Sequence, residues 1–301
     1  MLPAMATTPP STDFKPFLSG MRSPIVAPLT RFAIGIPLVL FTTQTAQYFA
    51  WTIEPPMTAG FLGANYWASA LLALLAARET LWANGRVSIS VALAFAPLTT
   101  LATLTHLDLF HLDTFFGWFW VVAYTVYPIQ LAIFLRKQLL APGGDPPKER
   151  PIPMWVRGIL GVHAVLLIPL GIALFVAPTA VAPMWPWPIP PLSAQVVAAW
   201  LLAFGVLAGH SLLENEWARV RAGMLGYPFL GLMQAIMLVR FGDVLDWASP
   251  SAWVYVGVVA SFFVLGAYGL VTEAHLHPGV ARKRPTPRGR AAPVPTPPRS
   301  P

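Results

Sequence analysis

The chain of 301 residues contains no cysteine, and only 10% of its residues are charged. The first absence removes disulfides, zinc–thiolate centres and thiol nucleophiles. The second sets the chain apart from soluble domains, where roughly a quarter of residues carry charge. Lysine and arginine outnumber the acids 19 to 12, but no motif for reading DNA or RNA accompanies the excess, so no nucleic-acid partner is expected. A Walker loop, G-x-G-x-x-G, G-x-S-x-G and H-E-x-x-H are all missing. Nucleotide-driven pumping, dinucleotide chemistry, serine hydrolysis and zinc-peptidase chemistry therefore lack their usual residues.

What is present is apolar: 56% of residues are hydrophobic and the mean hydropathy is +0.62. About 20 helical residues cross a bilayer core. Eight stretches approach that length, 32–51, 61–81, 87–107, 115–135, 154–176, 196–213, 223–239 and 252–271, the last three requiring some tilt. Long apolar runs without alternation select helices over a barrel, so the fold class is an all-α membrane protein with eight transmembrane helices. The first stretch reads as a retained span and not a signal peptide. With the N-terminus inside, every Lys and Arg of the 19 except Arg240 falls on the cytoplasmic side. Both termini are thus expected to be cytoplasmic. The abundance of Arg, Ala and Pro suggests a bacterial cell membrane.

The second half echoes the first. Glu79, Trp82, Ala83 and Arg86 recur as Glu214, Trp217, Ala218 and Arg221, and Asp108 and Trp118 recur as Asp243 and Trp253, all displaced by the same 135 positions. Such scarce residues coinciding at one offset mark a duplicated unit. An even number of spans per unit makes the copies parallel, with both entering the membrane in the same direction. The expected organisation is a disordered tail 1–30, a four-helix repeat 31–139, a Pro-rich cytoplasmic linker 140–153, a second four-helix repeat 154–275 and a disordered basic tail 276–301. The tail would attract anionic lipid headgroups. Gly35, Gly60, Gly63, Ala68, Ala203, Gly205 and Gly209 are the small residues expected where the two bundles pack.

Candidate functional residues divide into those the copies share and those they do not. Glu79/Glu214, Trp82/Trp217 and Arg86/Arg221 would share one face of a continuing helix, with Trp at headgroup level, Arg snorkelling and Glu pairing with Arg. The alternative is a pair of acids at the mouth of a pathway. His210 lies one turn before Glu214, a pairing suited to relaying a proton or holding a cation. His163 sits about 7 Å away from His210 in depth, counted by helical rise, which argues against a haem held between them.

His106, Asp108, His111 and Asp113 contain metal-ligand types, but helical angles split them into two faces and no zinc spacing is matched, so they read as a polar outer loop. Thr42, Thr43, Gln44, Thr45 and Gln47, with Thr99, Thr100, Thr103 and Gln234, would bond between helices or line a polar path. Trp185 and Trp187 would lie in the outer aromatic belt. No cofactor is expected. Transport or binding of a small or lipophilic molecule at the repeat interface leads the functional readings. A non-catalytic accessory subunit, with a membrane partner or a second copy, comes next, and a membrane redox or metal enzyme follows.

Overall fold

The computed structural model describes residues 13–22 and 26–276. The basic tail from 277 onward and residues 1–12 lie outside the described residues. The helices are α1 (Ser19–Arg22), α2 (Val26–Leu40), α3 (Thr45–Tyr48), α4 (Pro56–Ala76), α5 (Trp82–Thr105), α6 (Phe115–Leu140), α7 (Met154–Val176), α8 (Pro178–Val181), α9 (Pro191–Glu214), α10 (Trp217–Phe241) and α11 (Pro250–Leu276). Seven of them, α4 to α7 and α9 to α11, are long and apolar enough to cross a membrane.

The first expected span, 32–51, is not one helix. α2 has 15 residues, a rise of about 22 Å, short of the ~30 Å apolar core. Its end follows from the polar run Thr42 to Thr45, whose side chains compete for backbone groups. Thr45 Oγ1 accepts from the Ile53 amide at 2.9 Å, which closes a turn. Arg240 donates to the Val39 carbonyl at 2.8 Å and caps the shortened helix. The chain then continues through the single-turn helix α3, and the Ala50 carbonyl meets the His111 amide at 2.9 Å.

Five of the other helices, α5, α6, α9, α10 and α11, are longer than hydropathy suggests. α4 and α9 begin at Pro56 and Pro191, because proline is well placed in a first turn where no N–H is needed. α9, α10 and α11 reach 24, 25 and 27 residues, so they need no special tilt. α4 stops at Ala76, short of the expected 81, and leaves Glu79 in a loop. The starts of α4 and α9, of α5 and α10, and of α6 and α11 are each 135 residues apart, as are short 3₁₀ turns at Leu107–Leu109 and Gly242–Val244.

The packing is not that of two separate bundles. α2 lies on α4 and α7 lies on α9, but α4 and α5, consecutive in sequence, hardly touch. α4 packs on α10 and α5 packs on α9, so the central helices of the two halves alternate. The small residues follow the same logic. Gly63 receives Leu38 and Val39 of α2, and Gly205 receives Ile168 of α7, both within a half. Only Gly60 of the expected seam glycines faces the other half, where it meets Met237.

Part of the segment read as a disordered tail is docked. The Lys15 amide donates to Gly144 O at 2.8 Å and the Phe17 amide to Thr80 O at 2.7 Å. Phe17 and Met21 are buried with Trp82, Ala92 and Leu131. The 140–153 stretch is extended and is held in the same way: the Glu149 and Arg150 amides donate to Glu216 Oε2 at 2.7 and 2.8 Å. Asn215, left-handed at φ 42°, ends α9 as a C-terminal cap and takes the Ile152 amide on its side chain at 3.2 Å.

Candidate functional site

One end of the molecule, the basic end, carries Arg86, Arg219 and Arg221. Glu79, Trp82 and Arg86 do not lie on a continuing helix there, because α4 has ended and α5 begins at Trp82. Trp82 and Trp217 are buried, 8% and 4% exposed. Arg86 and Arg221 each pair with the glutamate of the other half. Arg86 donates to both Glu214 oxygens at 2.5 and 2.8 Å, and Arg221 donates to Glu79 at 3.0 Å.

The clasp is reciprocal but unequal. Glu214 also accepts from Arg219 at 2.8 Å and lies 3.2 Å from His210 Nε2, while Asp145 bridges Arg86 at 2.7 Å and Arg219 at 3.4 Å. On the other side Arg221 divides itself between Glu79 and Glu273, the latter at 2.6 and 2.7 Å. Burial pushes the Glu79 carboxyl above its ordinary range, against the opposing pull of Arg221. His210 and Glu214 do meet as their spacing suggested, but Glu214 is already engaged by two guanidiniums.

The opposite end repeats the reciprocity. Trp187 donates to Thr58 Oγ1 at 2.9 Å and Trp51 to Ser193 Oγ at 3.5 Å. Trp187 is 1% exposed, so it belongs to the core and not to an aromatic belt. The polar loop beside it does not converge. His106 Nδ1 lies 3.1 Å from the Ala102 carbonyl, His111 lies between Thr52 and the Phe49 carbonyl, and Asp108 and Asp113 are exposed. Among the described residues no three His, Asp or Glu side chains group as metal ligands. His163 is buried against Ser261 Oγ at 2.7 Å and Phe262, whereas His210 pairs with Glu214, so the two histidines have no common partner.

Within the helices Gln234 bridges the halves, donating to Asn65 Oδ1 at 2.6 Å and accepting from the Tyr255 hydroxyl at 3.0 Å. The threonines of α5 serve packing as well. Thr103 accepts from the Trp120 indole at 2.9 Å, and Thr100 donates to the Tyr124 carbonyl.

The space for a ligand is elsewhere. A cavity of about 500 Å³ lies inside the first half, among α2, α4, α5 and α6, with Phe17 to Arg22 at one edge and Trp200 of α9 at the back. A second cavity of about 670 Å³, lined by Thr42, Thr45, Ile53, Pro188, Ile189 and Val244, lies between the halves, where sequence reasoning put a ligand, whereas the first lies within one half. Tyr66 and Tyr124 touch hydroxyl to hydroxyl at 2.5 Å on its wall, and Arg31 donates to the Tyr127 hydroxyl at 2.8 Å. α2 and α6 hardly touch. Val122 and Val126 line the cavity yet are 53% and 52% exposed, so its mouth opens sideways through that gap. Trp200 on the back wall keeps its buried indole N–H without a partner.

The same place in the second half is filled. At the 135-residue offset Ser69 becomes Phe204, Ala92 becomes Tyr227 and Tyr127 becomes Phe262. Tyr227 stacks on Phe262 at 5.4 Å between ring centroids, and Phe204 meets Phe262 at 6.3 Å. The offset that exposes the repeat therefore also carries the signal for this site, in small residues set against aromatic ones. Sequence reasoning looked instead at polar residues unique to one half. Compared with known protein families, with curated proteins and with solved structures, the chain shows no match.

Proposed function

We propose that the protein is a duplicated four-helix membrane unit whose first copy binds a lipophilic small molecule drawn from the bilayer. The two copies run parallel, related by a pseudo-two-fold axis along the membrane normal. α2 with the 41–50 stretch makes the eighth crossing. The basic end and both termini face the cytoplasm of a bacterial cell, as the positive-inside rule requires. The observation that carries the reading is the cavity kept open in one copy and filled by rings in the other. Its volume lies in the range of small-molecule sites, about 300–1,000 Å³. A mouth between α2 and α6 faces hydrocarbon, so an apolar ligand reaches it without crossing water.

The test installs the second copy's side chains in the first. In nanodiscs, a photoactivatable hexadecanol should label α2, α5 and α6 around the cavity in the native protein. Ser69→Phe with Ala92→Tyr should lose that labelling while gel filtration and the apparent Tm stay close to native. Labelling that survives the filling would overturn the reading.

A further inference from the structure

Resting on that reading, we infer that the ligand is a single-chain anionic amphiphile: one hydrocarbon chain ending in a carboxylate or a phosphate monoester, with the acidic head held at Arg31. The arginines of the clasp, buried Arg219 and half-buried Arg86 and Arg221, all meet carboxylates. The two arginines that line the cavity do not. Arg22 donates to the Glu79 carbonyl at 3.2 Å and Arg31 to the Tyr127 hydroxyl at 2.8 Å, and neither has a carboxylate in ion-pair reach among the described residues.

A guanidinium stays charged at any physiological pH, and one that is half-buried beside hydrocarbon is costly without a counter-charge. Arg31 also lies 5.8 Å from the Tyr127 ring, and the guanidinium N–H groups not used on the Tyr127 hydroxyl are donors for an anion. Around it the walls are Ile34, Leu72, Phe95, Leu131 and Phe134, which suit a chain and not a sugar or an amino acid. The second copy supplies the control. There Arg31 becomes Leu166 and Tyr127 becomes Phe262, so the cation and its phenol are lost together with the cavity, whereas Arg22 is kept as Arg157. The head-binding pair and the chain-binding space were kept or lost as one site.

The experiment uses the full chain in nanodiscs and competes unlabelled palmitate, hexadecyl phosphate, hexadecanol and inorganic phosphate against photoactivatable palmitic acid. Palmitate and hexadecyl phosphate should compete at concentrations about tenfold lower than hexadecanol, as a charge-assisted pair provides. Arg31→Leu should erase that preference and leave hexadecanol competition unchanged. Arg31→Gln is the second variant if the leucine protein is unstable. Equal competition by acid and alcohol in the native protein overturns the inference but leaves the lipophilic site standing, and so does a preference that survives both Arg31 variants. Inorganic phosphate competing as well as hexadecyl phosphate also overturns it, because the site would then read a free anion. Absence of cavity labelling by both the acid and the alcohol removes the underlying reading as well.

Discussion

Glu214 and Glu79 occupy equivalent positions, yet their surroundings assign them different work. Glu214, 7% exposed in its side chain, accepts from Arg86 and Arg219 and touches His210, whereas Glu79 shares Arg221 with Glu273. Removing the carboxylate from a buried, multiply bonded pair strands its partners and costs about 3–5 kcal/mol, while a partly exposed pair contributes about 0–1 kcal/mol. Glu214→Gln should therefore lower the apparent Tm clearly more than Glu79→Gln, as followed by thermal unfolding in mild detergent. The two should also differ in pH response. Because burial holds the Glu79 carboxyl above its unfolded range, the folded state binds that proton more tightly. Stability from this group is present below the unfolded carboxyl pKa and falls as pH rises through the raised folded value. Glu79→Gln should flatten that fall, and an unchanged profile would show that Arg221 cancels the cost of burial.

At the level of helices, legibility tracked the locality of the signal. α7 matches the hydropathy reading at 154–176, where Pro153 precedes the helix and Ala177-Pro178 follows it. α4 was misplaced because the apolar run continues past the helix end, and what stops the helix is a loop whose glutamate answers an arginine in the other half. The break after Leu40 depends likewise on Arg240, far along the chain. Most hidden was the exchange of partners, since hydropathy reports that a helix is buried but not against which neighbour. The repeat offset revealed the shared Glu, Trp and Arg, but their pairing across copies needed the geometry. That exchange makes a prediction. Fragments 1–146 and 147–301 each leave half of the α4–α10 and α5–α9 contacts bare. Expressed singly they should aggregate or be degraded, and expressed together they should co-purify as one unit. Two independent four-helix bundles would instead give stable single fragments.

For the whole molecule, the proposed orientation rests on charge and repeat parity. The basic end carries the carboxylate–guanidinium clasp, and the opposite end carries Asp108, Asp113 and Asp243 with Arg240 drawn inward to cap α2. The indole bonds from Trp51 to Ser193 and from Trp187 to Thr58 bring the corresponding loops of both copies to that same opposite end. A parallel duplication requires this arrangement, whereas an inverted one would place the two loops at opposite ends. The chain has no cysteine, so single cysteines can report on sidedness without background. Exposed Asp113 and Asp243 replaced by cysteine should both react with a membrane-impermeant maleimide in intact cells, and Glu149→Cys should react only after permeabilisation. Labelling of only one of the first two in intact cells would break the parallel duplication. Labelling of Glu149→Cys in intact cells would reverse the orientation and put the Arg22 and Arg31 edge of the cavity in the outer leaflet, where the acidic ligand would have to be presented from outside.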